Sequence, residues 1–258
     1  MSSTHRRALV TGASSGIGKA FAERLAAAGS DLVVVARNLE RLEELAFRVR
    51  ETHGRNVEVL QADLENREQL AAVEARIRDH TDIDLLVNNA GFGHVGPFAD
   101  LPLDRSQAQI DCNITALTRL AHAALQSMRP YGRGAILNVA SGAAFLPTPN
   151  LAVYAATKAY VVSFTQGLHE EAKRFGVTVS VVCPGFTRTE FQERAHYDAR
   201  QIPSFAWQTP EAVADEALAA VQARKVVCIP GLQNKVTMGI LNFVPRSTLA
   251  SFVSRVMG

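Results

Sequence analysis

Two side chains able to move a proton stand four residues apart in Tyr154-Ala155-Ala156-Thr157-Lys158. On a helix that spacing puts the phenol and the ammonium on one face, one turn apart. A phenol ordinarily titrates near 10, too high for easy proton donation at neutral pH, and a neighbouring positive charge favours its ionised form. The pair is therefore a candidate acid/base, with Lys158 expected to lower the Tyr154 pKa. Tyrosine and lysine also meet on many ordinary helix surfaces, so their company decides. Ser141 follows an apolar run upstream, Asn88-Asn89-Ala90-Gly91 closes an earlier one, and Thr11 to Gly18 is a glycine-rich turn near the start of the chain.

To serve one reaction these groups must be gathered at one edge, and the hydrophobic pattern says how. Apolar runs at residues 7–10, 32–36, 57–61, 83–87, 135–139, 177–182 and 226–229 have the length and β-branched content of buried strands. Helical patterns separate them. One opens at the glycine turn and runs through Ala28, one is capped by Asn38 and reaches about His53, and one covers about Arg67 to Arg78. A long one spans about Leu103 to Met128. Another, starting at Asn150 and ending about Phe175, carries Tyr154 and Lys158, and the next opens at Thr209-Pro210-Glu211 and ends near Arg224. The alternation predicts an α/β fold, a single doubly wound, Rossmann-type parallel sheet of seven strands with helices on both faces. Ligands then bind beyond the carboxyl ends of the strands, where every motif named above falls. The chain divides into a dinucleotide-binding and catalytic domain, residues 1–231, and an amphipathic C-terminal extension, residues 232–258.

A strand, a glycine turn and a helix start together hold a pyrophosphate on backbone N–H groups. The turn here offers Gly12, Ser14, Ser15, Gly16, Ile17 and Gly18, in a GxxxGxG spacing rather than GxGxxG. After the second strand an acid would bond a ribose 2′-hydroxyl, whereas an arginine suits a 2′-phosphate. The positions hold Ala36 and Arg37, and the nearby Asp31 is at the wrong end of the strand. The expected cofactor is therefore NADP(H). Asp63 and Leu64 follow the third strand, where Asp63 either meets an adenine amino group or caps the next helix. Asn89, Ala90 and Gly91 follow the fourth, and small residues there admit close approach of a cofactor. Pro184-Gly185 breaks the chain after the sixth strand. The stretch from Phe186 to Gln208 has no clear period and is expected to act as a lid. Asn113 is a polar amide midway along a helix and needs a partner if buried. His94 reads as a loop residue.

Composition narrows the classes. Hydrophobic residues make up 47% and charged residues 20% of the chain, which supplies a core and argues against disorder. The net charge of +2 is spread along the sequence and leaves no basic tract for nucleic acid. Cys112, Cys183 and Cys228 stand apart and are odd in number, as expected of buried free thiols in a reducing compartment. A short polar N-terminus without a signal pattern, and no apolar run of about 20 residues, add to the expectation of a cytoplasmic protein. The histidines never fall at metal-ligand spacing, so no metal is expected.

On TGASSGIG at Thr11 to Gly18, NNAG at Asn88 to Gly91, Asn113, Ser141, the YxxxK of Tyr154 and Lys158, and PG at Pro184 and Gly185, the chain resembles the short-chain dehydrogenase/reductase family across roughly Arg6 to Pro230. Through ARNLERLEEL after the second strand it looks like the NADP-preferring branch of carbonyl, hydroxysteroid and acyl-type reductases. The resemblance implies hydride transfer between nicotinamide and a carbonyl or hydroxyl carbon, with Tyr154 exchanging the proton on the substrate oxygen. It implies that Lys158 bonds the nicotinamide ribose, that Ser141 orients the reacting oxygen, and that Asn113 holds a water in a relay to Lys158. Thr187 and Thr189 are similar to the family's contacts to the nicotinamide amide and phosphates.

The substrate is expected to be a small apolar carbonyl compound or alcohol, because Phe92, Phe145, Phe186, Phe191, Phe205 and Trp207 fall near the expected pocket. Leu249, Phe252, Val253 and Val256 follow a helical stripe. Its expected role is packing on the protein itself or on a sister subunit of a dimer or tetramer. Peripheral membrane contact, helped by Lys235, Arg246 and Arg255, is the alternative. The rival to an enzyme is a catalytically silent NADP-binding regulator or scaffold, since fold alone does not establish function.

Overall fold

The structure, a computed structural model, describes residues 5–198, 200 and 202–241. Seven parallel strands form one sheet in the order β3-β2-β1-β4-β5-β6-β7. They are β1 (Arg7–Thr11), β2 (Asp31–Ala36), β3 (Val57–Gln61), β4 (Leu85–Asn88), β5 (Ala135–Val139), β6 (Thr178–Val182) and β7 (Val227–Cys228). The strand order reverses between β1 and β4, so the carboxyl ends of those two strands part around a crevice suited to a ligand. This is the doubly wound fold expected from the alternation of apolar runs.

Each strand residue is committed to one face. Ala8 and Val10 of β1, with Leu32 and Val34 of β2, pack under α1 (Gly16–Ala27), α2 (Leu39–His53) and α8 (Pro210–Gln222). Leu9, Val33 and Val35 point the other way, toward α3 (Arg67–Asp79) and α5 (Leu117–Met128). Burial on both faces explains why the strands read as continuous apolar runs rather than alternating ones. Phe21 of α1 is fully buried, a contribution of about 1.5–3 kcal/mol for such a side chain. Three helix starts are set by side-chain caps. Asn38 accepts from Arg41 N on α2, Asn66 from Glu68 N and Gln69 N on α3, and Thr209 from Ala212 N on α8.

Several expected boundaries differ. The helix carrying Tyr154 and Lys158 is α6 (Ala152–Lys173), and it starts after Asn150, which sits in the left-handed region at φ 62° and so lies outside the helix. The run from Leu103 to Met128 is helical throughout, but α4 (Leu103–Ile110) and α5 are joined by a π-helical segment, Asp111–Ala116, centred on Asn113. The stretch after β6 is not wholly irregular, for it holds a short helix, α7 (Phe191–Arg194), and a single 3-10 turn at Ser204–Ala206. Beyond β7 the chain forms α9 (Leu232–Leu241). The stripe of Leu249, Phe252, Val253 and Val256 lies outside the described residues. Among the described residues no helix is long and apolar enough to cross a membrane.

Candidate active site

The residues singled out by type and spacing converge at the carboxyl edge of β1, β4, β5 and β6. Ser141, just past β5, starts a 3-10 turn (Gly142–Phe145), and its Oγ accepts from Ala143 N at 3.2 Å. Tyr154 and Lys158 are both buried on α6. Lys158 Nζ donates to the carbonyl of Val139, the last residue of β5, at 2.9 Å and lies 5.8 Å from the centre of the Tyr154 ring. The spacing of four thus brings the two groups together, as expected.

Their electrostatics differ from the expectation. Burial pushes the Tyr154 phenol up to about 12, and its hydrogen bond to Ser141 pulls only partly the other way. Lys158 is not what sets the phenol, because its ammonium is turned to Val139. Burial brings Lys158 itself down to about 8, opposed by the neighbouring Cys112 and Cys183. Desolvation of each charged form is the larger effect for both groups. At neutral pH Tyr154 is therefore a protonated phenol, a donor rather than a base, and Lys158 keeps its charge only up to about pH 8.

The glycine turn and the NNAG loop brace one another. Thr11 Oγ1 accepts from Asn89 N and Ala90 N, each at 3.0 Å, while Asn89 Nδ2 donates to Thr11 O at 2.9 Å. A Cβ on Gly12 would lie 2.8 Å from Asn89 Nδ2, and one on Gly18 2.2 Å from Gly12 O, so both positions require glycine. Asn89 is in this way a strut of the turn. The start of α1 is left open: Ser15 precedes it without a side-chain cap bond, and its first turn holds no acid. By contrast, Asn38 and Asn66 cap α2 and α3, each with a glutamate in the first turn. Unpaired amides with no acid in their own first turn fit the pyrophosphate of a dinucleotide. Ser14, Gly16 and Ile17 lie half-buried along this opening.

Asn113 is fully buried, and both ends of its amide are engaged. Oδ1 accepts from Phe92 N at 3.1 Å, and Nδ2 donates to Phe92 O at 2.9 Å and to Thr157 Oγ1 at 3.0 Å. The side chain therefore ties the loop after β4 to α6, with both Nδ2 hydrogens used and one lone pair of Oδ1 left beyond the bond from Phe92 N. Gly91 has a role the sequence did not reveal. A Cβ there would be 2.9 Å from Asn113 Oδ1 and 3.2 Å from Lys158 Nζ, so it makes room for these two side chains rather than for a cofactor alone. Thr11 and Thr157 were missed as site residues, and only their places beside the glycine turn and within YxxxK hinted at them.

At the far end of the crevice Arg37 is exposed, with Nη1 3.3 Å from Glu65 Oε1 and 3.9 Å from Asp63 Oδ2. Asp63 is not the cap of α3; its Oδ1 accepts from Glu65 N while Asn66 caps the helix. Leu64 has its side chain in the core, so only its backbone is available to a ligand. Pro184 O accepts from Gly142 N at 2.8 Å, which joins the chain after β6 to the Ser141 turn. Gly185 O accepts from Thr187 Oγ1, and Thr189 Oγ1 accepts from Phe191 N. The lid lies down on the site, with Thr189 against Gly16 and the Phe191 ring 5.3 Å from the Tyr154 ring. It is held at its outer end by Glu190, which accepts from Arg41 Nη1 with both oxygens at 2.9 Å. Arg41 lies in the first turn of α2, four residues after Arg37, and the sequence did not single it out.

Among the expected aromatic wall residues, Phe205 is exposed to solvent, whereas Phe186 and Trp207 pack together at 5.9 Å. His94 stacks edge-on against His196 and stays out of the site. A cleft of about 620 Å³ runs between α1 and the lid, bordered by Gly16, Lys19, Arg188 and Trp207. Neither Ser141 nor Tyr154 borders it, so it belongs to the phosphate end of the crevice. No group of His, Cys, Asp and Glu able to hold a metal occurs among the described residues.

Comparison with known proteins gives the same residues a wider setting. A family model described as short chain dehydrogenase matches residues 6–199. The very-long-chain 3-oxoacyl-CoA reductase of Anas platyrhynchos is 34% identical over 258 residues, covering 96% of this chain and 78% of that protein. A solved short-chain dehydrogenase from Sphingobium yanoikuyae in complex with NADPH is 40% identical with a TM-score of 0.85, over 93% of this chain and 96% of the other. The bulky-bulky ketone specific alcohol dehydrogenase from Comamonas testosteroni is 34% identical with a TM-score of 0.81, over 95% and 97%.

Proposed function

The chain belongs to the short chain dehydrogenase family of oxidoreductases acting on carbonyl and hydroxyl groups, and from that premise we propose that it is an NADP(H)-dependent reductase of apolar carbonyl compounds with Tyr154 as the acid. The observation that carries this is the meeting of Ser141, Tyr154 and Lys158 at the end of β5, with the phenol held protonated by burial. NADP(H) is favoured because β2 ends in Ala36 and Arg37 with no acid placed for a ribose hydroxyl. The NADPH of the Sphingobium yanoikuyae neighbour supports the same choice. The names of the relatives favour large apolar carbonyl substrates of the carbonyl, hydroxysteroid and acyl-type branch.

The nicotinamide, when bound, supplies the hydride. The rest is done by the chain. The uncapped start of α1 and the glycine turn would bind the pyrophosphate, and Arg37 and Arg41, paired here with Glu65 and Glu190, would offer their charge to the 2′-phosphate. Ser141 donates a hydrogen bond from its hydroxyl to the substrate oxygen and fixes its position. Tyr154 gives its proton to that oxygen as negative charge develops, work worth roughly 10²–10⁴ in rate for a placed acid. Lys158 Nζ, with donors beyond the one given to Val139 O, would bond the nicotinamide ribose, and its charge would stabilise the phenolate left behind. The lid residue Phe191, resting on Tyr154, excludes water.

A panel of aldehydes and ketones with NADPH, followed by its absorbance, tests this. Turnover is expected with NADPH in preference to NADH and is expected to fall at least a hundredfold in Lys158→Ala. Equal turnover by Lys158→Ala would contradict the mechanism, and a preference for NADH would overturn the cofactor.

A further inference from the structure

The part of the chain after β7 falls outside what the glycine turn, the YxxxK pair and the lid explain. α9 does not trail from the sheet but folds back over the catalytic edge. Its start is pinned by Glu216 of α8, whose Oε1 accepts from Gly231 N and whose Oε2 accepts from Lys235 Nζ, both at 2.8 Å. Asn234, one turn in, donates to Pro230 O at 2.8 Å and to Gln208 Oε1 at 2.9 Å, which fastens the helix to the base of the lid. A Cβ on Gly185 would lie 2.6 Å from the Asn234 amide, so the glycine after Pro184 lets α9 seat there.

Four residues on from Asn234, on the same helix face, stands Met238. Its methyl lies 3.3 Å from the place a Cβ would take on Gly142, next to Ser141, and Pro184 O is 3.5 Å from the same place. The opposite face of the helix is open, with Leu232 77% and Val236 53% exposed. We propose that α9 is a wall of the carbonyl site and that Met238 is its specificity-determining residue, setting how bulky a group is admitted beside Ser141. This rests on the reading of the protein as a carbonyl reductase. The chemistry of the side chain suits such a wall, for a thioether on an unbranched stem fills an irregular gap against several shapes of apolar substrate and gives way where a stiffer residue would not. The helix holds Met238 by its two fastened residues, Asn234 and Lys235, so the wall has a fixed base and an adaptable tip.

The test uses the full-length chain and its Met238→Ala, Met238→Phe and Val236→Ala variants, with NADPH and two ketones of different bulk, acetophenone and benzophenone. Met238→Ala is expected to raise the ratio of kcat/KM for benzophenone over acetophenone by about tenfold, the scale on which an apolar pocket discriminates size. Met238→Phe is expected to lower the ratio, and Val236→Ala, on the open face, to leave it within about twofold. A ratio unmoved by both Met238 variants, or moved equally by Val236→Ala, overturns the proposal. Should the parent reduce neither ketone, the functional reading fails by itself, and the wall is judged by the methyl signal of [methyl-13C]methionine protein, assigned from Met238→Ala. A shift of the Met238 signal on adding benzophenone with NADPH supports the wall; a signal that stays in place while other methionine signals move overturns it.

Discussion

The two sides of the crevice are held by different means. On the side of β1, β4 and β5, the functional groups are fixed from within by buried hydrogen bonds: Thr11 with Asn89 and Ala90, Asn113 with Phe92 and Thr157, Lys158 with Val139. Asn88 of β4 bonds Asn138 of β5, which in turn bonds Thr165 of α6, so the strand ends and the catalytic helix are one buried network. Groups of this kind hold one geometry, because breaking any of them leaves a buried polar atom unpaired. On the side of β6 and α9, the lid and helix are held by exposed ion pairs, Arg41 with Glu190 and Lys235 with Glu216, and by a few side-chain amides. Surface pairs of this kind cost little to open. Under the proposed mechanism the contrast separates chemistry from selection: the proposed proton donor sits on the side braced by buried bonds, and the residues proposed to meet the substrate sit on the side held by surface pairs.

Three changes break or sharpen that contrast, in falling order of effect. Gly91→Ala attacks the rigid side. The new methyl meets Asn113 Oδ1, which is fixed by Phe92 N, as well as Lys158 Nζ, which is held by Val139 O. A stability loss of about 1–3 kcal/mol is expected, read as a lower denaturant midpoint, together with a fall in kcat of at least tenfold; a variant as stable and active as the parent would remove the close fit. The second probe is pH. Lys158 has its pKa lowered to about 8 and works in its charged form, so NADPH-dependent reduction is present below pH 8 and declines as pH rises through it. Tyr154, pushed up to about 12, stays protonated over that range and contributes no loss. A kcat/KM profile flat from pH 7 to 10 would contradict this assignment. The smallest effect is expected from Glu190→Gln on the loose side. NADPH dissociation quickens by less than about fivefold in stopped flow and the melting temperature stays unchanged within error, as befits an exposed pair. A hundredfold change there would show that the lid is not loosely held.

Most of the strand and helix plan was legible because the central strands are buried on both faces and the starts of α1, α2, α3 and α8 carry a glycine turn or a side-chain cap. The positions of Ser141, Tyr154 and Lys158 followed from the same order. What failed to show was anything set by tertiary packing. The start of α6 was misplaced at Asn150, whose side chain resembles a helix cap while its backbone is left-handed. The π-helical segment around Asn113 has no sequence signature, since its cause lies in Phe92 and Thr157. The shift of the Tyr154 pKa was expected downward from a charge four residues away, yet burial, which no local spacing reveals, outweighs it. Met238 gave no signal at all, being one methionine in an apolar tail until the helix is folded back over Gly142.

In the proposed mechanism turnover depends on Tyr154 as the proton donor of a site that otherwise stands ready. Tyr154→Phe removes one oxygen and leaves the ring against Phe191. Titrating this variant with NADPH and then following a single turnover with a reducible ketone measures that dependence directly. NADPH binding within about twofold of the parent and a hydride-transfer rate lower by about 10²–10⁴ are the predicted result. A variant that consumes NADPH at the rate of the parent would contradict it.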